Sequence, residues 1–205
     1  MALFSRNLVR LRMLSVCFAL VSAGFSLSGA NGVTPGRLSF KLYGADQGLG
    51  SLSLWALAQD GLGFIWVGTE NGLYRFDGQR FQVFGVAEGL SSAFVNALHV
   101  DSEGTLWVGT YKGLSYLSEG RFQEVGASAG LPPGQVIGIS TGPDGQIWVG
   151  MTEGVFRRLK DGRFQAVPGW PGGVVTALWS HPGREVWVAS WVDSRATLLR
   201  WDLNG

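Results

Sequence analysis

The sequence GTLWVGTYKGLSYLSEGRFQEV, residues 104–125, is the clearest indication of the fold, because the chain repeats it. Aligned on its tryptophan, it recurs as GFIWVGTENGLYRFDGQRFQVF around Trp66, as GQIWVGMTEGVFRRLKDGRFQAV around Trp148 and, less faithfully, as REVWVASWVDSRATLLRWDLNG around Trp187. The tryptophans are 107 − 66 = 41, 148 − 107 = 41 and 187 − 148 = 39 residues apart. A fixed period of this length marks a repeat architecture, in which each unit buries its apolar faces against its neighbours.

One repeat reads as four short strands. In the quoted copy these are FVNALHVD, TLWVGT, LSYLS and RFQEV, at residues 94–101, 105–110, 114–118 and 121–125, with Gly-containing turns between them. Short alternating segments joined by such turns indicate an antiparallel meander. Four-stranded units that repeat every 40 residues or so, about the length of a propeller blade, are typical of β-propellers. We therefore expect an all-β fold, a β-propeller with four-stranded antiparallel blades, of which about four are visible.

The tryptophan strand predicts how the blades pack. Leu106, Trp107 and Val108 are apolar in succession, so this strand must be covered on both faces, as it is when blades stack around an axis. The repeated tryptophans are therefore expected to be packing residues between blades. Asp60 and Asp101 precede the same strand in two copies and are expected to bond backbone amides of the turn that follows them.

The N-terminal segment has the three-part plan of a secretory signal. Three arginines within the first twelve residues precede an uncharged run at residues 13–27, which ends in small residues. This pattern predicts a signal peptide over residues 1–30, cleaved after Ala30; the alternative is retention as an N-terminal anchor. The apolar run is short for a membrane span, which needs about 20 residues. The exported part would have no cysteine, because Cys17 lies within the signal.

The charge balance excludes one class of partner. Removal of the signal leaves 16 − 3 = 13 basic against 15 acidic residues, a net charge of −2. No basic stripe remains, so we expect no nucleic-acid binding.

The repeats define unit boundaries. The propeller is expected over 37–205, with units near 45–85, 86–126, 127–168 and 169–205 and a leading strand at 37–44. That strand aligns with the fourth strand of the next unit and is expected to complete the last blade. Two interpretations stay open, a closed ring of four blades or part of a larger propeller, and the irregular fourth unit favours the larger propeller.

Binding is expected on the ring face formed by the connections between blades and by the turns between second and third strands. The frame of these turns repeats, whereas the inserted residues vary, which is how loops carry recognition. The candidate ligand-binding residues are Glu70, Tyr111, Lys112, Glu153 and Trp191. Tyr111 and Trp191 are the strongest candidates, because an exposed aromatic ring can stack on a sugar or a peptide.

The pattern GLxxxxVxALxxDxxGxxWVGTxxGLxxxxxGRFxxV resembles the two-component regulator propeller repeat over roughly residues 37–202. It is similar to the N-terminal periplasmic sensor region of bacterial hybrid sensor kinases and diguanylate cyclases. The resemblance implies a periplasmic, ligand-sensing or binding propeller that reads a small molecule, a carbohydrate or a periplasmic protein. It also implies that the mature chain has no membrane span, and that a kinase or cyclase output and homodimer contacts lie in missing downstream domains.

The sequence shows no arrangement of residues that favours catalysis. The two histidines, His99 and His181, occupy different positions in their repeats, so neither a metal cluster nor a Ser-His-Asp set is expected. We therefore expect no enzyme activity in this chain, no catalytic or metal-binding residue and no cofactor. The alternative is a propeller enzyme, such as a lyase or a glycoside hydrolase acting on polysaccharide, because GPDGQIWVG resembles the lyase-type propeller repeat.

Overall fold

The structure is a computed structural model that describes residues 40–51, 53–181 and 185–202. The chain divides into two compact units, residues 1–41 and 42–205, and every element below lies in the second. The predicted signal peptide, residues 1–30, lies outside the described residues.

Strands make up nearly all of the regular structure, joined by three short 3₁₀ helices at Ala45–Gln47, Val86–Glu88 and Ala127–Ala129. The strands described are β1 (Leu54–Gln59), β2 (Ile65–Thr69), β3 (Leu73–Phe76), β4 (Phe81–Phe84), β5 (Val95–Val100), β6 (Leu106–Thr110), β7 (Leu114–Ser118), β8 (Arg121–Val125), β9 (Val136–Thr141), β10 (Ile147–Met151), β11 (Gly154–Arg158), β12 (Phe164–Ala166), β13 (Val174–His181), β14 (Glu185–Val192) and β15 (Arg195–Asp202).

These strands form four antiparallel sheets, each with its strands in chain order. Strands β1–β4, β5–β8 and β9–β12 make the four-stranded blades 1, 2 and 3, and β13–β15 make the three-stranded blade 4. Each sheet lies within one of the four predicted units. The first strands of consecutive blades lie side by side, with β1 next to β5, β5 next to β9 and β9 next to β13. The first strand is therefore the inner strand of each blade, and the predicted all-β architecture is confirmed.

The predicted leading strand does not complete blade 4 in the described part of the chain. Residues 40–44 belong to no strand, and residues 37–39 lie outside the described residues. The ring of Tyr43 meets the ring of Phe76 edge to face at 4.7 Å. That contact places Tyr43 against blade 1.

Neighbouring blades interlock through a valine and a glycine. The inner strand of each following blade contributes a buried valine, 0–1% exposed, which sits against a glycine in the second strand of the blade before it. The pairs are Val95 on Gly68, Val136 on Gly109 and Val175 on Gly150. A Cβ built on any of these glycines would lie 2.5 to 2.9 Å from the valine Cγ1. Because glycine has no side chain, it leaves space for the valine methyl group of the next blade, and we call this space the notch.

The two outer blades lack this interlock on one side. Leu54 in β1 aligns with the buried valines, yet it is 54% exposed. Ala189 in β14 replaces the notch glycine of the other blades. Blade 4 therefore does not cover the leading face of blade 1 in the described residues.

The repeated tryptophans pack between blades, as predicted. Trp66, Trp107 and Trp148 are buried. Each meets an aromatic ring of the next blade, and the partners are, in order, Phe122 at 6.3 Å, Phe164 at 6.4 Å and Trp201 at 6.4 Å between centroids. Trp187 in blade 4 is only half-buried, because no described blade follows it. The prediction is thus confirmed for three of the four tryptophans.

The aspartates before the tryptophan strand fix both the turn and the indole. Asp101 Oδ1 accepts hydrogen bonds from the backbone amides of Glu103 and Thr105 at 3.0 and 2.9 Å. Its Oδ2 accepts the indole N–H of Trp107 at 2.8 Å. Asp60 does the same for Trp66 at 2.7 Å. The turn role is confirmed, and the bond to the indole is an addition that satisfies a buried donor.

Candidate functional site

Four of the five predicted binding residues lie in the turn between the second and third strands of their blades, and the fifth, Trp191, lies within β14, next to its C-terminal residue. All five side chains are exposed. Glu70 belongs to blade 1, Tyr111 and Lys112 to blade 2, Glu153 to blade 3 and Trp191 to blade 4. No hydrogen bond or ring contact among the described residues joins any two of them, so each turn presents its side chains separately.

A buried threonine makes the blade 2 turn rigid. Thr110 Oγ1 donates to the carbonyl oxygen of Gly113 at 3.0 Å and accepts from the backbone amide of Lys112 at 3.1 Å. The amide of Tyr111 donates to the carbonyl oxygen of Phe94 at 3.0 Å. These bonds fix the backbone at the exposed tyrosine, and so fix the position from which its ring projects.

Tyr111 ends a row of three aromatic side chains that crosses from blade 1 to blade 2. The rings of Trp55 and Phe94 are 5.6 Å apart, and those of Phe94 and Tyr111 are 6.2 Å apart, between centroids. Trp55 and Tyr111 are each 57% exposed, while Phe94 between them is half-buried. We call these three residues the aromatic row. Its aromatic rings offer an apolar surface of the kind on which sugars and aromatic side chains stack.

Sequence reasoning found only one member of this row. Trp55 could have been found by comparing the repeats, since the equivalent positions hold Asn96 in blade 2 and Ile137 in blade 3. A tryptophan that the repeat does not require, at the start of an inner strand, is a signal of its own. Phe94 carries the same signal, since the equivalent positions hold Ser53 in blade 1 and Gln135 in blade 3.

Trp191 stands apart from the aromatic row. It is 51% exposed and pairs across the sheet with Val174, which is also exposed. Blade 4 thus offers a second, smaller apolar surface at the same end of the molecule.

Inner strands of blades 2 and 3 are joined by a histidine. His99 Nε2 and Thr141 Oγ1 are 2.7 Å apart, which links β5 to β9. Burial lowers the pKa of His99 from its ordinary value of 6.5, and the negative charge of Asp101 opposes that shift. Among the described residues, no three His, Cys, Asp or Glu side chains come together in a way that could hold a metal ion. His99 is therefore best explained as a neutral link between blades.

Acidification is expected to destabilise the fold through His99. Because its pKa is lower in the folded chain than the unfolded value of 6.5, the unfolded chain takes up the proton first as pH falls. The contribution to stability is fully present above pH 6.5 and is lost as pH falls from there towards the folded pKa. We expect the free energy of unfolding to drop between pH 7.5 and pH 5.5, and the drop to shrink in His99→Gln. Denaturant unfolding at both pH values measures this, with His181→Gln as control. An undiminished drop in His99→Gln would contradict the assignment.

No helix in the described part of the chain has both the length and the apolar character needed to cross a bilayer.

Fold and repeat pattern together define a β-propeller built from interlocked blades. The family model for the two component regulator propeller matches residues 48–71 and 89–112. Each segment begins with a Gly-Leu pair, Gly48-Leu49 or Gly89-Leu90, which recurs at the 41-residue spacing and is called the Gly-Leu marker. Each also contains the inner strand and the tryptophan strand, of blade 1 or blade 2. The predicted presence of two-component regulator propeller repeats is therefore confirmed. Among curated proteins, no sequence matches the chain significantly.

Solved structures with a similar fold include extracellular domains from Bacteroides thetaiotaomicron. One, from a protein described as a hybrid two-component system, is 21% identical with a TM-score of 0.52 and aligns over 80% of this chain and 30% of its own. Another, described as from a one-component system, is 20% identical with a TM-score of 0.57, over 73% of this chain and 21% of its own. This chain thus spans less than a third of either.

An enzyme shares the same fold. A catalytically inactive virginiamycin B lyase from Staphylococcus aureus, solved with quinupristin, is 15% identical with a TM-score of 0.54, over 73% of this chain and 55% of its own. At these identities the likenesses show the propeller fold and nothing about chemistry.

Proposed function

We propose that this chain is an extracytoplasmic ligand-binding propeller of a bacterial signal-transduction protein, and that it is non-catalytic. In this proposal residues 1–30 direct export to the periplasm, residues 37–205 supply blades, and the output domain belongs to another part of a longer protein. The ligand is a carbohydrate, another small molecule or a periplasmic protein. Binding shifts the population between two arrangements of the propeller and the downstream domains, which is how a sensor transmits a signal.

The aromatic row is the observation that carries the proposal. Trp55 and Tyr111 are each 57% exposed, and ring contacts through Phe94 join them into one continuous surface. The backbone of Tyr111 is held by a hydrogen-bonded turn, so a ligand that stacks on the ring need not order the turn as well. The row also crosses from blade 1 to blade 2, so a bound ligand would contact both.

The comparisons support the cellular role. The two Bacteroides structures are extracellular domains of proteins described as two-component and one-component systems, and two segments of this chain match the corresponding repeat. Because this chain spans only part of those domains, the proposal places the remaining blades and the output domain in the longer protein.

Substitution of Tyr111 is expected to weaken ligand binding without harming the fold. Tyr111→Thr introduces the residue that blade 3 has at this position, Thr152, and Trp55→Asn introduces that of blade 2. Loss of one stacking ring is expected to lower affinity about tenfold. Calorimetric titration of the purified chain with neutral hexasaccharides of glucose, xylose and mannose measures the effect, and thermal melts check folding.

Trp179→Ser is the matched control for these variants. Trp179 is also an exposed tryptophan, but it lies outside the aromatic row, and blade 3 has Ser140 at the equivalent position. Its affinity is expected to match that of the unmodified chain. Equal affinity in Tyr111→Thr and Trp55→Asn would contradict the proposed site. Cleavage of any hexasaccharide, seen as shorter products, would favour the propeller-enzyme alternative.

A further inference from the structure

A groove of about 510 Å³ lies between blades 2 and 3. Trp107, Tyr116 and Val125 of blade 2 line it, together with Arg158 and Phe164 of blade 3. We call it the blade 2–3 groove. None of the candidate ligand-binding residues or members of the aromatic row lines it. Its volume is in the range of small-molecule sites, roughly 300 to 1,000 Å³.

A departure from the repeat gives the groove its positive charge, and the lack of an aromatic ring at the position of Phe84 gives it room. Ten residues after the repeated tryptophan, blade 2 has Leu117, which packs against the cluster around Trp66. Blade 3 has Arg158 at that position, and its guanidinium lies 5.5 Å from the centroid of the Trp107 ring. In blade 1, Phe84 fills the space beside Trp66, with ring centroids 5.5 Å apart.

Blade 2 has Val125 at the position of Phe84, as blade 3 has Val167, so the corresponding space beside Trp107 is not filled by a ring. Arg158 thus places a cation where blades 1 and 2 have the apolar Phe76 and Leu117. Local exceptions of this kind in an otherwise regular structure are where functional sites are expected.

The charges in the groove are only partly satisfied. Asp101 is occupied by the turn and the indole, and Asp161 is paired with Arg163 at 2.7 Å. The side chains of Arg158, Glu103 and Glu124 form no hydrogen bond or ion pair with any described residue. One free guanidinium and two free carboxylates therefore line the same groove, next to the aromatic rings of Tyr116 and Trp107.

We propose that the blade 2–3 groove binds an α-amino acid with an apolar side chain. The guanidinium of Arg158 takes the carboxylate, since its planar fork matches that geometry. Glu103 and Glu124 take the ammonium group, and the side chain packs against Tyr116 and Val125. The two carboxylates repel a ligand that carries only negative charge, and Arg158 repels one that carries only positive charge. A zwitterion pairs with the carboxylates and with Arg158 at once. This proposed site is independent of the function proposed above.

Titration of the purified chain with four probes tests the charge requirement. L-phenylalanine and L-leucine carry both charges, 3-phenylpropionate lacks the ammonium group and phenethylamine lacks the carboxylate. We expect calorimetry to show binding of both amino acids, with each single-charge probe at least tenfold weaker. Absence of binding by both amino acids would overturn the proposal. So would equal affinity for 3-phenylpropionate, which would indicate a simple anion site.

Two variants taken from the chain's own repeats test the location. Arg158→Leu introduces the residue of blade 2, and Val125→Phe introduces that of blade 1, which fills the groove. Each is expected to lower amino-acid affinity at least tenfold while the melting temperature is kept or raised. Tyr111→Thr is expected to leave amino-acid binding unchanged, which separates this site from the aromatic row. Unchanged affinity in both groove variants would overturn the proposal.

Discussion

Gly89→Ala is expected to lower the free energy of unfolding by about 4 kcal/mol, a loss at the upper end for a single substitution. Gly89 has a φ of +99°, and a Cβ there would overlap the carbonyl oxygen of Phe122. The left-handed backbone alone costs a residue with a side chain about 1 to 2 kcal/mol. The clash adds more, because a backbone oxygen in a paired strand has little room to move away.

Gly104→Ala is the matched control for this prediction. Gly104 also has a positive φ, +83°, but a Cβ there meets nothing within 4 Å. We expect it to cost only the backbone strain of about 1 to 2 kcal/mol. Thermal melts and denaturant unfolding of the purified chain measure both variants. Equal destabilisation by the two substitutions would show that the close approach of Gly89 to Phe122 is not what requires glycine here.

The features that the sequence predicted well are those that every blade needs. The tryptophan strand, the Gly-Leu marker and the turn aspartates recur at a 41-residue spacing because the same packing problem recurs at each interface between blades. Trp66, Trp107 and Trp148 could be assigned to that packing from their spacing alone, and the structure confirms it. Repetition therefore identifies the scaffold and its core.

The features that the sequence predicted poorly belong to single blades. Phe94 joins the aromatic row only through contacts with Trp55 and Tyr111, which no repeat pattern encodes. Residues 40–44 of the predicted leading strand align with β4 as a pattern but form no strand, and Tyr43 packs on Phe76 of blade 1. Arg158 was unremarkable in the sequence until the structure placed it over Trp107.

Gly109→Ala is expected to lower the free energy of unfolding by about 2 to 3 kcal/mol, the cost of overfilling a packed interface. A Cβ at Gly109 would lie 2.5 Å from Val136 Cγ1 and 3.1 Å from Ala97 Cβ. The buried valine comes from blade 3 and cannot retreat without separating the blades. In blade 4 the equivalent position is Ala189. No described blade packs a valine there, so the methyl group of the alanine is tolerated.

A double-mutant cycle with Val136→Ala isolates the interlock between these two blades. Val136→Ala alone removes buried apolar surface and is expected to cost about 1 to 3 kcal/mol. In the double variant the alanine at 109 meets a shortened side chain, so the combined loss should fall short of the sum by at least about 1 kcal/mol. Chemical denaturation of the four proteins measures this difference. Additive losses would mean that Val136 and Gly109 do not interact, and that other contacts hold these two blades together.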